Sequence, residues 1–205
     1  MIHTLIVIAK APVAGRVKTR LSPPLSAEQA AQLAAGALSD TLRVAQDVPA
    51  AHRLLAFDGE VTGWLPEGWR SCPQPDGGLD RRLAGAFLAA GPGPALLVGM
   101  DTPQLRSEQL TAFDPARYDA CLGMARDGGY WAIGLREPRL APSVILGIAM
   151  STARTGADQL RRLRRLGLRV QALDELRDVD TIEDAAQVAA LIPHSAFAAA
   201  FDAFD

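Results

Sequence analysis

The most constraining feature of this sequence is an apolar run at its start, Ile2 to Ala9, which ends abruptly in a loop rich in cations. Five of the eight residues in the run are large aliphatics, and they do not alternate with polar residues. This pattern predicts a strand buried on both faces, as in a parallel sheet. The residues that mark the following loop, called the first loop below, are Lys10, Pro12, Gly15, Arg16, Lys18 and Arg20.

The rest of the chain alternates between predicted strands and helices. Further strands are expected at 53–57, 95–99, 120–124, 130–135 and 169–173, and helices at 26–45, 107–113, 79–90, 156–166 and 181–191. Ser26 with Gln29, and Thr181 with Asp184, have capping-box spacing, and Ser107 is expected to cap its helix. The segment 58–75 is predicted to be irregular. This alternation predicts an α/β protein, a three-layer α/β/α sandwich around a mostly parallel mixed sheet.

A single domain is expected over residues 1–192, because no repeat or low-complexity linker divides a chain of 205 residues. Residues 193–205 are expected to form an amphipathic C-terminal tail. Phe197, Phe201 and Phe204 would share one helical face, which predicts docking on the body of the protein or on a second subunit in a homodimer.

Composition excludes several classes of protein. A formal net charge of -2 argues against a nucleic-acid binder, which would carry a basic excess. No apolar segment approaches the ~20 residues that cross a bilayer, and the N-terminal run is too short for a signal peptide. Cys72 and Cys121 lack CxxC spacing, so neither a disulfide framework nor a zinc site is expected. A cytoplasmic location is therefore predicted.

The first loop lacks the two common phosphate-binding fingerprints. It has no GxGxxG, and Gly15, Lys18 and Thr19 do not have the spacing of a P-loop ending. Gly15 would still allow the backbone to approach a ligand closely. Lys18 supplies a compact ammonium and Arg20 a planar guanidinium, and both groups suit phosphate oxygens. The alternative is a solvated basic loop, which four cations after one central strand make less favourable.

Two acidic positions could hold a metal ion. Asp101 follows the predicted strand 95–99, at the edge where open α/β sheets bind ligands, and its carboxylate suits Mg²⁺. Asp178 and Asp180 precede the last predicted helix. The alternative for all three is a structural role as helix caps or turn residues, and for Asp178 and Asp180 capping is the stronger interpretation.

The loop at Asp127, Gly128 and Gly129 allows two interpretations. Asp-Gly and Gly-Gly are ordinary hairpin-turn sequences, whereas a functional role would let Asp127 orient or deprotonate an acceptor. Tyr130 would then belong either to the sheet or to a pocket. The three histidines are scattered along the chain, so neither a histidine-based triad nor a histidine metal site is predicted.

Five motifs occur in a recognisable order: AKAPVAGRVKTRL, GMDTPQL, DGGYWAIGL, STARTGADQL and DVDTIEDAAQV. Together they resemble the bacterial GT-A-like transferases known as rSAM/selenodomain-associated or nucleotide-diphospho-sugar transferases, over nearly the whole chain to about Leu191. The chain is similar, more distantly, to guanylyl- and cytidylyltransferases such as the 2-phospho-lactate and molybdenum-cofactor enzymes.

This resemblance implies a nucleotide-diphospho-sugar transferase fold and a set of site residues. The nucleotide and its phosphates would bind at Ala9, Lys10, Pro12, Gly15, Arg16, Lys18 and Arg20. The acceptor would lie against Asp127, Gly128, Gly129 and Tyr130. Asp101 and Asp180 fall on the family's metal-binding positions, which implies Mg²⁺ or Mn²⁺. The chain departs from the family pattern at Gly78, Asp80, Arg126 and Met150, on the presumed acceptor side.

These observations lead to three hypotheses. The first is a Mg²⁺-dependent transfer of a glycosyl group from a nucleoside diphosphate sugar to a small acceptor, with Lys18 offsetting leaving-group charge and Asp127 as base. The second is a nucleotidyltransferase, in which an acceptor phosphate attacks a nucleoside triphosphate and pyrophosphate leaves. The third is a non-catalytic nucleotide-binding protein.

Overall fold

The computed structural model describes residues 1–204, in which seven strands form one sheet flanked by helices. The strands are β1 (Thr4–Lys10), β2 (His52–Asp58), β3 (Trp69–Pro73), β4 (Ala95–Gly99), β5 (Ala120–Ala125), β6 (Tyr130–Leu135) and β7 (Val170–Leu176). The α-helices are α1 (Ala27–Gln46), α2 (Leu79–Ala90), α3 (Ser107–Thr111), α4 (Ala141–Ile145), α5 (Thr155–Arg165), α6 (Ile182–Leu191) and α7 (Ala196–Asp202). Short 3₁₀ turns lie at Thr19–Leu21 and Pro138–Leu140. None of the helices described is long and apolar enough to cross a membrane.

The sheet is mixed, in the order β3-β2-β1-β4-β6-β5-β7. Strand β6 is antiparallel to both of its neighbours, β4 and β5, while every other pair of neighbours is parallel. The mostly parallel mixed sheet predicted from the sequence is therefore confirmed. As a consequence all strands except β6 end at one edge of the sheet, and β6 begins there.

Two separate hydrophobic clusters cover the two faces of the sheet and confirm the three-layer sandwich. On one face Leu5 and Val7 of β1 pack in the cluster that contains the apolar side of α1. On the other face Ile6 of β1 packs with Phe87 of α2 and with residues of α4 and α5. Successive residues of β1 thus enter opposite clusters, which explains why its sequence is apolar at nearly every position.

The structure differs from the predicted elements at two places, one involving strand pairing and the other a helix cap. The segment 58–75, predicted to be irregular, contains edge strand β3, which pairs with β2 and is held by a hydrogen bond from Trp69 Nε1 to Gln46 Oε1 of 2.6 Å. Ser107 is the first residue of α3 rather than its cap, since Gln109 Oε1 accepts a hydrogen bond from the backbone N–H of Arg106. The capping boxes at Ser26 and Thr181 are confirmed.

The C-terminal helix α7 packs on α1 in a third cluster, in which Phe197 is buried. Close approach is allowed by Gly36, where a Cβ would lie 2.8 Å from the carbonyl oxygen of Ala196. The buried carboxylate of Asp40 accepts hydrogen bonds from the backbone N–H groups of Ala196 (3.2 Å) and Phe197 (2.8 Å). The C-terminal tail therefore contacts the body of its own chain. Its predicted limits at 193–205 stay a prediction, and Asp205 lies outside the described residues.

Asp40→Ala is expected to lower the free energy of unfolding by about 2–3 kcal/mol, because it leaves two N–H groups at the start of α7 without their acceptor. Urea unfolding measures the change. Asp47→Ala is the control, since Asp47 is exposed at the end of the same helix and its loss should cost less than about 0.5 kcal/mol. Equal losses in the two variants would contradict the assigned role of Asp40.

Candidate functional site

A cleft of about 710 Å³ lies at the edge of the sheet where the parallel strands end. Its lining comes from the first loop, from the segments after β4 and β7, from the hairpin between β5 and β6, and from the residues leading into α5. The volume is in the range of small-molecule sites, and the position is that of ligand sites in open α/β sheets. The sheet topology alone therefore brings the predicted motifs together.

The first loop is shaped so that one lysine points inward. Val17 and Leu21 are buried on either side of Lys18, whose own backbone is left-handed at φ 49°. Such a conformation is uncommon in a residue with a side chain and is kept only where the surroundings enforce it. The Lys18 side chain is only 7% exposed.

The Lys18 ammonium joins the ends of two strands. Its Nζ lies 2.7 Å from Asp101 Oδ1, after β4, and donates to the carbonyl oxygen of Val179, after β7. The backbone N–H of Val179 in turn donates to the carbonyl oxygen of Asp101 at 2.9 Å. Arg20 makes a second, more exposed ion pair with Asp180, at 2.7 Å. The first loop is thus tied to both predicted metal-binding positions.

The predicted phosphate-binding residues divide into two groups. Those that line the cleft are Ala9, Lys10, Arg16, Lys18 and Arg20. Pro12 and Gly15 are not among the residues that line it. Gly15 has φ 74°, a left-handed conformation that suits glycine, and so contributes to the turn of the loop. The structure therefore gathers the four cations and leaves Pro12 and Gly15 on the outer part of the loop.

Three carboxylates from two loops form an acidic cluster in the cleft. Oxygen atoms of Asp127, Asp178 and Asp180 lie within 4.8 Å of one another. Burial, reinforced by the negative charge of Asp127, raises the pKa of the Asp178 carboxyl to about 6. Asp101 is not a member of this cluster, since its carboxylate pairs with Lys18 instead.

The capping interpretation of the acidic residues is wrong for helix α6. The N-cap of α6 is Thr181, whose hydroxyl accepts from the backbone N–H of Asp184, and Asp184 completes the capping box. Asp178 and Asp180 precede the cap and line the cleft. The sequence offered Asp178 together with Asp180 as a possible metal-binding position, whereas the family resemblance implied Asp180 and not Asp178.

The turn interpretation of the Asp127 loop is confirmed, and the functional role of Asp127 stays a prediction. Asp127 Oδ1 accepts from the backbone N–H of Gly129 at 2.6 Å, as in an ordinary turn, yet the residue is exposed and lines the cleft. Gly128, with φ 89°, packs so closely on the segment before α5 that a Cβ would lie 2.1 Å from the carbonyl oxygen of Ala153. The Gly128 carbonyl oxygen accepts from Gly156 at 2.9 Å. The hairpin is therefore fixed against the start of α5.

Tyr130 lines the cleft with its hydroxyl 3.5 Å from Gln159 Oε1. Burial, with a smaller contribution from the charge of Asp80, raises the pKa of Tyr130 above its ordinary value. The phenol is therefore protonated near neutral pH and can donate a hydrogen bond, but it does not act as a base.

Several residues of the cleft were missed by reasoning from the sequence. Arg82 of α2 pairs with Asp58 at 2.8 Å, and Gln74 Nε2 donates to the carbonyl oxygen of Ala9 at 2.7 Å. Thr102 is buried, and its hydroxyl has no hydrogen-bond partner within residues 1–204. These contacts join elements distant in the chain and leave no local pattern that would predict them. Ser151, Thr152 and Thr155 also line the cleft.

Solved structures share this architecture over most of their length. A protein from Desulfovibrio desulfuricans G20 described as a "putative nucleotide-diphospho-sugar transferase" is 27% identical, with a TM-score of 0.88 over 98% of this chain and 95% of that one. 2-C-methyl-D-erythritol 4-phosphate cytidylyltransferase from Thermus thermophilus is 18% identical, with a TM-score of 0.56 over 97% and 98%. Rv0371c from Mycobacterium tuberculosis H37Rv, in complex with manganese, is 19% identical, with a TM-score of 0.52 over 92% and 98%. No curated protein matches the chain in sequence.

The chain therefore has the nucleotide-diphospho-sugar transferase fold, and the resemblance predicted from its motifs is confirmed. It belongs to the family described as "Uncharacterized protein conserved in bacteria (DUF2064)", whose profile matches residues 30–152. That match includes Asp101 and the Asp127 hairpin, and it ends before α5. The first loop and the two aspartates after β7 lie outside it.

Gly128→Ala is expected to lower the free energy of unfolding by about 3 kcal/mol, since the new methyl group would clash with Ala153 in a strained left-handed backbone. Gly147→Ala is the matched control. Its φ is 79° and its Cβ would meet nothing within 4 Å, so only the backbone cost of about 1 kcal/mol remains. Urea denaturation compares the two, and equal losses would show that the hairpin is not packed tightly on the start of α5.

Asp178→Asn is expected to raise the melting temperature of the metal-free protein at pH 7.5 by about 2–4 °C. The folded-state pKa of Asp178, about 6, lies above the ordinary value of ~3.9 for an unfolded chain, so its ionisation above pH 6 opposes folding. Protonation of the wild-type carboxyl removes this cost, and the difference should shrink as the pH falls from 6 towards 4.

Asp174→Asn serves as the control, because Asp174 is exposed on β7, away from the cleft lining. Thermal unfolding monitored by circular dichroism at several pH values measures both variants. A pH-independent difference between wild type and Asp178→Asn would contradict the raised pKa.

Proposed function

We propose that the protein is a divalent-metal-dependent glycosyltransferase that uses a nucleoside diphosphate sugar and a small acceptor with a hydroxyl group. The fold is that of nucleotide-using transferases. What carries the more specific proposal is the charge of the cleft lining, in which four cations of the first loop lie together with Asp127 and Asp178, two carboxylates that form no ion pair within residues 1–204.

The cationic side suits the phosphates of a donor. Among the cleft-lining residues described, every cation belongs to the first loop except Arg82, which is already paired with Asp58. Lys18, with Arg16 or Arg20, would lie beside the diphosphate and stabilise the negative charge that develops as it leaves. The loop holds these side chains at the cleft, where Lys18 and Arg20 would exchange their carboxylate partners for phosphate oxygens.

The acidic side suits an uncharged acceptor. A phosphorylated acceptor placed there would meet Asp127 and Asp178 with like charge, whereas a hydroxyl could donate a hydrogen bond to a carboxylate. Asp127 is the proposed base. One of its oxygens is held by the backbone N–H of Gly129, and the other has no partner within residues 1–204. The turn thus orients the carboxylate while leaving an oxygen to accept the acceptor proton.

The donor atoms in the cleft fit a hard divalent cation. Oxygen atoms of Asp127, Asp178 and Asp180 lie within 4.8 Å of one another, and Mg²⁺ and Mn²⁺ prefer such oxygen ligands. We assign Asp178 and Asp180 of this cluster as ligands, together with Asp101, which lies outside the cluster and is implied as a ligand by the motifs. A cation bound there would neutralise charge on the donor diphosphate. The manganese in the Rv0371c structure supports this assignment.

A second candidate function is nucleotidyl transfer, and the number of cations favours it. Four cations on one loop exceed what a diphosphate requires and would match the higher charge of a nucleoside triphosphate. In that reaction an acceptor phosphate attacks the α-phosphorus and pyrophosphate leaves. The carboxylates of Asp127 and Asp178 count against it, because the acceptor would then be anionic.

Incubation with a panel of nucleoside diphosphate sugars and Mg²⁺ or Mn²⁺ is expected to release nucleoside diphosphate, whereas nucleoside triphosphates should release no pyrophosphate. Asp127→Asn should lower kcat by about 10²- to 10⁴-fold with a smaller effect on donor KM, because a general base acts in the transition state. Coupled assays for the two products measure both reactions.

Arg126→Gln is the control, since Arg126 is exposed next to Asp127 in sequence but does not line the cleft. Steady pyrophosphate release would contradict glycosyl transfer and support the second candidate. Nucleotide-dependent thermal stabilisation without turnover of any donor would instead indicate a non-catalytic nucleotide-binding protein. The cytoplasmic location and the homodimer stay predictions.

A further inference from the structure

Two of the three carboxylates assigned to the metal form ion pairs with cations of the first loop. Lys18 pairs with Asp101 and Arg20 with Asp180, each at 2.7 Å. The two pairs differ in strength, because the Arg20 side chain is 67% exposed and an exposed ion pair contributes little. The Lys18 ammonium is buried and also bonded to the Val179 carbonyl oxygen, so it is the firmly held cation.

The position of Lys18 is built into the loop. Its backbone is left-handed, which costs about 1 kcal/mol for a residue with a side chain, and buried Val17 and Leu21 anchor the chain on both sides. The sequence contains only two lysines, Lys10 and Lys18, among many arginines. A compact ammonium on a flexible stem can exchange one anionic partner for another more readily than a forked guanidinium can.

An ammonium and a divalent cation cannot share Asp101 at low cost. Lys18 carries hydrogen-bond donors only, and two like charges a few Å apart repel strongly in a partly buried site. Occupation of Asp101 by a metal therefore requires the ammonium to move. A displaced ammonium in this part of the cleft needs a new anion, and a phosphate oxygen of the donor would supply it.

We propose that Lys18 is an internal counter-ion that competes with the metal for Asp101 and makes metal and nucleotide binding depend on each other. The ammonium leaves Asp101 for a donor phosphate as the metal and nucleotide enter together. Because coupling between two ligands is reciprocal, the metal alone binds weakly and the nucleotide alone binds weakly. This inference rests on the proposed function, in which Asp101 is a metal ligand and the first loop holds phosphate.

The experiment measures binding of Mn²⁺ alone, with no nucleotide, by electron paramagnetic resonance. Lys18→Met is expected to bind Mn²⁺ on the order of tenfold more tightly than wild type, because the competing charge is gone. Lys18→Gln is a second variant. Its amide can still donate to the Val179 carbonyl oxygen, so the contact that helps hold the loop is kept while the charge is removed. Circular dichroism confirms folding of both.

Arg126→Met also removes one positive charge, but Arg126 is exposed, does not line the cleft and pairs with Glu175. Its Mn²⁺ affinity should stay within about twofold of wild type, since screening weakens the effect of an exposed charge. An equal gain in Arg126→Met and Lys18→Met would overturn the proposal, because net charge rather than the ion pair would then control affinity.

Asp101→Asn separates this inference from the proposed function. If Asp101→Asn abolishes Mn²⁺ binding while both Lys18 variants bind like wild type, competition by Lys18 is wrong and the metal assignment stands. If Asp101→Asn leaves Mn²⁺ binding unchanged, the metal assignment fails and the inference falls with it. Tighter binding in both Lys18 variants, lost when Asp101→Asn is added, is the result that supports the proposal, whichever donor the transferase uses.

Discussion

The common direction of six strands is the constraint on which the rest of this structure depends. Both faces of the sheet are buried under helices, so the polar groups that follow the strands have one place to meet, the edge where every strand except β6 ends. The single antiparallel strand, β6, begins at this edge and adds its own turn to it. Residues from separate parts of the chain thereby form one cleft.

Charge is distributed in this cleft by chain segment. One loop contributes every cation of the described lining except Arg82, and the segments after β4, β5 and β7 contribute the carboxylates. Two ion pairs, Lys18 with Asp101 and Arg20 with Asp180, join the two sides. A cleft that contains both cations and carboxylates can hold phosphate and metal together. The cations neutralise the phosphate, and the metal neutralises the carboxylates. It also explains why the acidic cluster is tolerated in the folded protein.

Glycines and a buried aspartate hold neighbouring elements together through different contacts. Gly128 and Gly156 let the hairpin and the start of α5 touch through backbone atoms, which fixes the turn that carries Asp127. On the far side of α1, Gly36 and Asp40 hold α7 in the same way, by close approach and by N–H groups bonded to a buried carboxylate. These contacts give the functional loops a rigid support, as preorganised binding requires.

Local pattern was sufficient for most of the fold. Short sequence patterns predicted the apolar strand at 2–9, the capping boxes at Ser26 and Thr181, and the helix at 79–90. Together with the ordered motifs, these patterns determined the α/β class and the candidate site residues. The sequence alone could not show strand β3, the Asp178 cluster or the pairing of Lys18 with Asp101. Each of these depends on groups brought together from distant parts of the chain, and burial, pKa and ion pairing are properties of that tertiary neighbourhood rather than of a residue's place in the sequence.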